Sequence, residues 1–191
     1  MGALIRGIFV VIALVLSVTV PYGDGMKTKP HLSGFVSYAH DDAVLAHTFL
    51  NLMSPRCNIL RQCTLDPWWD RRLLVGQTWR SEIEAAIEVA DFGLLLLSPS
   101  FLASPFIVGV ELPGLLRRPG NLIIPVGLES IDLGRADLRE LDHLQIFRLL
   151  LKGEPDPRWF SELGGNNRKR FCEDLLGQMV ERFEREGLID E

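Results

Sequence analysis

A chain of 191 residues, 47% hydrophobic and 24% charged, has the length and apolar content of one globular domain with a sizeable core. Its formal net charge of −5 argues against nucleic acid as a main partner, because phosphate binding needs a concentrated basic surface, and the clusters Arg71-Arg72, Arg117-Arg118 and Arg168-Lys169-Arg170 sit among acidic residues and read as solvated faces. Three cysteines, Cys57, Cys63 and Cys172, odd in number and without metal-like spacing, indicate neither a disulfide framework nor a metal site, and no phosphate-cradle, dinucleotide-fold or zinc-hydrolase motif occurs.

Residues 7–20 (GIFVVIALVLSVTV) carry no charge, follow Arg6 and are closed by Pro21, Gly23 and Gly25. This run is shorter than the roughly 20 residues that span a bilayer, and Val20-Pro21-Tyr22-Gly23 at its end lacks the small-x-small pattern of a signal-peptidase site. Three readings of residues 1–25 stay open: a membrane anchor, a cleaved signal, or an over-extended gene start ahead of Met26. If the segment spans a membrane, Lys27 and Lys29 beyond it favour a cytoplasmic placement of the domain. Residues 26–33 read as a linker, 34–187 as the domain and 188–191 as a tail.

Past Pro30, short apolar runs alternate with amphipathic stretches, the pattern of a parallel sheet covered by helices on both faces. Strands are predicted at residues 34–38, 62–65, 92–98, 122–126 and 145–149, giving a flavodoxin-like, doubly wound α/β fold with a five-stranded parallel sheet. The continuous run Phe92-Gly93-Leu94-Leu95-Leu96-Leu97 fits a central strand buried on both faces. The first helix is expected to be capped by Asp41 or Asp42 and to turn Val44, Leu45, Phe49 and Leu52 inward. A second, after Thr78, puts Trp79, Ile83, Ala86, Ile87 and Ala90 on one stripe. A third covers residues 107–116, and the last spaces Phe171, Leu175, Met179 and Phe183 four apart over residues 168–185.

Ligands of such a sheet bind outside the carboxyl ends of its strands. That edge gathers residues 37–41, 66–82 and 98–100, the densest polar and aromatic clusters of the domain. Tyr38, His40, Trp68 and Ser98 are therefore candidate substrate-binding residues. His40 beside Asp41 has the form of a base with an orienting carboxylate, but it equally fits a loop histidine next to a helix cap.

GFVSYAHDD at residues 34–42, DPWWDRRLLVGQTWRSEIEAAIEVADFGLLLLSPSFLAS at 66–104 and SPFIVGVEL at 104–112 occur in the order and spacing of one family. On these segments the chain resembles TIR (Toll/interleukin-1 receptor) domains. Phe106 stands where that family usually carries tryptophan, a size-conserving core swap, and the absence from residues 71–76 of the Pro-Gly of animal adaptor domains points to a bacterial-type or enzymatic member.

The resemblance implies a signalling or defence protein that hydrolyses NAD to nicotinamide and ADP-ribose, or to a cyclic form, on self-association. NAD would be a substrate, with no cofactor and no metal. It also implies one catalytic glutamate, at the position of Glu82, in the first helical turn after the loop where the helix dipole favours its ionised form. Arg71, Arg72, Leu73, Leu74 and Gly76 form the implied self-association loop, and the implied partners are other TIR domains, in a homo-oligomer on activation. Asp70 and Glu111 read as structural members of the pattern. The alternative is a TIR–TIR interaction module without catalysis.

Overall fold

The computed structural model describes residues 29–65, 79–117 and 122–190. Five strands occur among them: β1 (His31–Leu32), β2 (Gly34–Ser37), β3 (Thr64–Leu65), β4 (Phe92–Leu97) and β5 (Leu122–Gly127). β1 pairs with β3, β2 with β4 and β4 with β5, all in parallel. β1 and β2 are one extended run interrupted at Ser33, whose amide donates to Asp91 Oδ2 at 2.7 Å and whose carbonyl accepts the Asp91 amide at 2.8 Å. Across that break the strand order is β3, β1 with β2, β4, β5, with β4 central as its apolar run predicts.

The predicted strand at residues 145–149 is not a strand. Phe147 makes a single parallel bridge to Val126, and Leu149 then pairs antiparallel with Arg158. Once the chain pairs with its own return, it can no longer extend the ladder along β5. The strand predicted over residues 62–65 is likewise reduced to Thr64–Leu65.

The helices are α1 (Ala43–Cys57), α2 (Trp79–Val89), α3 (Pro99–Ala103), α4 (Leu112–Arg117) and α5 (Gly165–Arg185). A π-turn over Ile107–Glu111 leads into α4, closed by the Leu112 amide reaching back to the Ile107 carbonyl. Alternation along the strands sorts these helices onto two faces. Val36, Leu94, Leu96, Ile124 and Val126 belong to a core shared with Phe49 and Met53 of α1 and Phe171, Leu175, Met179 and Phe183 of α5. Phe35, Leu95, Leu97 and Ile123 belong to a second core with Ile83, Ala86 and Ile87 of α2, Ile107, and Leu112 and Leu115 of α4. Each fully buried side chain of this size stabilises the fold by about 1.5–3 kcal/mol relative to exposure. The result is a doubly wound α/β layer, as the sequence pattern predicts.

Two details of α1 depart from the sequence reading. Val44 is 84% exposed, whereas Phe49 is buried and Leu45 and Leu52 pack against the same core as predicted. The helix buries Ala46, Leu50, Met53 and Cys57 beside them, so the apolar stripe is wider than the predicted one and leaves out Val44. Asp42 makes no cap bond to α1, because its carboxylate is taken by Ser98 across the sheet edge. No helix among the described residues is long and apolar enough to cross a membrane, and residues 7–20 lie outside them.

Candidate functional site

The chain leaves each central strand through a serine. Ser37 ends β2 and Ser98 follows β4, so both stand at the carboxyl edge of the sheet where the following helices begin. Both are fully buried, and each hydroxyl donates to a carboxylate supplied by the segment after the other strand. Ser37 Oγ donates to Glu111 Oε2 at 2.5 Å, and Ser98 Oγ donates to Asp42 Oδ2 at 2.5 Å. This crossed pairing ties the start of α1 to β4 and the π-turn before α4 to β2.

The two acids are not equivalent. Ser98 also accepts the Phe101 amide at 2.9 Å and so caps α3, which makes its pair with Asp42 part of the scaffold. Burial raises the Asp42 carboxyl above the usual carboxylate range, against the lowering effect of the Ser98 hydrogen bond, with smaller upward contributions from Glu129 and Asp41.

Glu111 has 0% of its surface exposed, and its second oxygen, Oε1, is buried without a hydrogen-bond partner among the described residues. Burial pushes its carboxyl up to about 8, only partly offset by the Ser37 hydrogen bond. An incompletely satisfied acid inside an apolar wall costs free energy and is a feature of sites more than of cores. Because Glu111 is enclosed, a ligand reaches it only if a neighbouring segment moves.

The other predicted residues occupy varied positions. Tyr38 is buried, with its hydroxyl 3.1 Å from His47 Nε2 and the two rings edge to face at 5.9 Å. Ser98 is enclosed by the bonds described above rather than presented to solvent. His40 is exposed in the turn His40–Asp42 that precedes α1, on the same edge. Glu82 lies in the first turn of α2, whose amino end faces this edge by topology, and its side chain is outside the described set, as are Trp68 and the loop residues Arg71, Arg72, Leu73, Leu74 and Gly76. Phe106 packs against the second core, as a replacement for a larger aromatic would.

The reading of Glu111 as a structural acid fits its complete burial and its pair with Ser37. It is the lone charge in Pro105-Phe106-Ile107-Val108-Gly109-Val110-Glu111-Leu112-Pro113-Gly114-Leu115-Leu116. A single acid in so apolar a stretch is buried and has to be paired.

Two surface grooves lie elsewhere. One of about 330 Å³ is bounded by Val108, Leu112, Leu116, Asp137 and Glu140, and one of about 360 Å³ by Arg56, Ile59, Leu60, Leu176 and Val180. Neither is lined by Ser37, Asp42, Ser98 or Glu111. Among the described residues no group of three or more His, Cys, Asp or Glu side chains is placed to hold a metal ion. The three cysteines are free and buried, and burial raises the Cys57 and Cys172 thiols to about 12.

Comparison with known proteins finds a family model, described as TIR domain, matching residues 35–163. An uncharacterized protein of Sinorhizobium fredii, y4lF, is 28% identical over 130 residues, covering 66% of this chain and 38% of that protein. The 2′ cyclic ADP-D-ribose synthase AbTIR of Acinetobacter baumannii is 27% identical over 104 residues, covering 52% of this chain and 36% of the synthase. Both matches therefore span less than two-fifths of the relative's length. Among solved structures, a metazoan TIR-STING receptor from C. gigas aligns with a TM-score of 0.45 at 18% identity, covering 80% of this chain and 43% of the receptor.

Proposed function

The chain belongs to the TIR-domain family, and from that premise we propose that it cleaves NAD at the nicotinamide–ribose bond when it self-associates. The family match over residues 35–163 and the similarity to a cyclic ADP-ribose synthase support the reaction class. The observation that carries the reading is the Ser37–Glu111 pair, a gripped carboxyl with one unpartnered oxygen at the ligand edge of the sheet.

The chemistry asks for little else. Nicotinamide is bound to ribose as a cation and departs as a neutral molecule, so the leaving group needs no general acid. What the transition state needs is negative charge beside the developing oxocarbenium ion, where ordinary glycosidases use two carboxyl groups. Two glutamates at this edge qualify by position, Glu82 through the family resemblance and Glu111 through geometry, and we place Glu111 at the ribose.

The raised ionisation of Glu111 fits this role. An apolar wall keeps the resting carboxyl protonated at neutral pH, and a bound pyridinium cation lowers its pKa and makes it ionise where the charge is needed. Water then attacks the ribosyl cation to give ADP-ribose, or a hydroxyl of the same ligand attacks to give a cyclic product.

A second reading, an interaction module without catalysis, draws on the complete enclosure of Glu111, which suits a structural acid equally well. Nicotinamide release from NAD by bead-clustered protein separates the two. Release that depends on Glu111 supports the enzyme, and silence at every surface density supports the module.

A further inference from the structure

Glu111 has two oxygens in different circumstances. Oε2 lies 2.5 Å from Ser37 Oγ, while Oε1 is buried with no hydrogen-bond partner among the described residues. The donor comes from the last residue of β2, which is held in register against Leu95 of the central strand, and its side chain is fully buried. The acceptor comes from the last residue of a π-turn, a backbone form that carries one more residue per turn than an α-helix and recurs at functional sites. A stiff strand end thus holds one oxygen of an acid that a less regular helical segment supplies.

We propose that Ser37 is a positioning residue for this site, fixing the Glu111 carboxyl by Oε2 so that Oε1 is the oxygen presented to the ribose. The assignment rests on the reading of Glu111 given above. Ser37 has no part in bond making, because its hydroxyl donates to Glu111 and it is separated from the substrate by the carboxyl group itself. It acts on orientation and on charge. A donor to a carboxylate favours the ionised form, so the hydroxyl counters the burial that keeps Glu111 protonated. With the hydroxyl removed, the carboxyl would be free to rotate and would ionise only at higher pH.

The pairing also explains why a strand that packs on both faces ends in a buried hydroxyl. Val36 and Phe35 before it fill the two cores, and an alanine at position 37 would fit the same space. A polar atom with no exposure is retained at a cost unless its partner needs it.

Ser37→Ala and Ser37→Thr test this in the full chain with two independent readouts. The first is the pH profile of kcat/KM for nicotinamide release by clustered protein. Ser37→Ala should move the rising limb of that profile to higher pH and lower kcat roughly tenfold at pH 7 with KM little changed, the loss expected for one hydrogen bond to a charged group. Ser37→Thr, which keeps the hydroxyl, should restore both. The second readout is the pH window over which folding takes up a proton, measured from urea unfolding and independent of catalysis. Ser37→Ala should extend that window upward, and Glu111→Gln should remove the Glu111 share of it, leaving that of Asp42. An unmoved pH limb and an unmoved window in folded Ser37→Ala would overturn the proposal. A window that moves while Glu111→Gln stays fully active would uphold the grip of Ser37 and remove Glu111 from catalysis, so the two failures are distinguishable.

Discussion

The hydroxyl of Ser98, just past the central strand, donates to the Asp42 carboxylate 2.5 Å away at the start of α1, and the same oxygen accepts the Phe101 amide at 2.9 Å. One buried atom thus joins three segments, and it mirrors the Ser37–Glu111 pair from the opposite strand.

Removing it should be costly. Ser98→Ala leaves the Asp42 carboxylate without its donor and the first turn of α3 without its cap. A lost cap costs about 1 kcal/mol, and an orphaned buried acceptor adds about 1–3 kcal/mol. Urea unfolding should show a loss in this range with the m-value unchanged. A Ser98→Ala variant as stable as the parent would contradict the scaffold role given to the pair.

Folding stability should fall with pH across the range in which Glu111 holds its proton. The ordinary value for a glutamate is 4.5, and the folded chain raises Glu111 to about 8. Below 4.5 both states are protonated and this group contributes its full share of stability. Between 4.5 and 8 the unfolded chain releases a proton that the folded chain keeps, so stability drops by up to about 1.4 kcal/mol per pH unit. Unfolding midpoints from pH 5 to 8 should show this slope in the parent, and Glu111→Gln should flatten it. An identical slope in Glu111→Gln would mean that another group carries it.

Self-association should depend on Leu74, in the loop that lies outside the described residues. Replacing it with aspartate puts a charge in place of an apolar side chain, which should abolish clustering and nicotinamide release together. Light scattering and circular dichroism would show a folded monomer. Full activity in that monomer would remove assembly from the account.

The layers of the fold were legible because they rest on periodicity. The continuous run Phe92–Leu97 marked the central strand, and Phe171, Leu175, Met179 and Phe183 are all buried along α5. The end of the sheet was not legible, since residues 145–149 have strand composition and only the return pairing of Leu149 with Arg158 stops them. For α1, Val44 and Leu50 are equally apolar, and tertiary packing chose the stripe that buries Leu50. At the site, local sequence located the edge but not its bonds. Asp42 and Ser98 are 56 residues apart, and Ser37 and Glu111 are 74 apart. No short-range pattern records such pairings, so Asp42 read as a helix cap and Glu111 as a structural acid.

The most direct test of the central claim is nicotinamide release from NAD by bead-clustered protein, comparing the parent with Glu111→Gln and Glu82→Gln. Glutamine at position 111 still accepts the Ser37 hydroxyl and removes the ionisable group, so the variant should fold and be at least as stable as the parent at neutral pH. Loss of one preorganised electrostatic partner costs on the order of a hundred- to a thousand-fold in rate. The account predicts a loss of this size for Glu111→Gln beside an active parent. An active parent whose Glu111→Gln variant keeps its rate would contradict the assignment, and if Glu82→Gln alone loses activity, the ribose-facing carboxylate belongs to α2 instead.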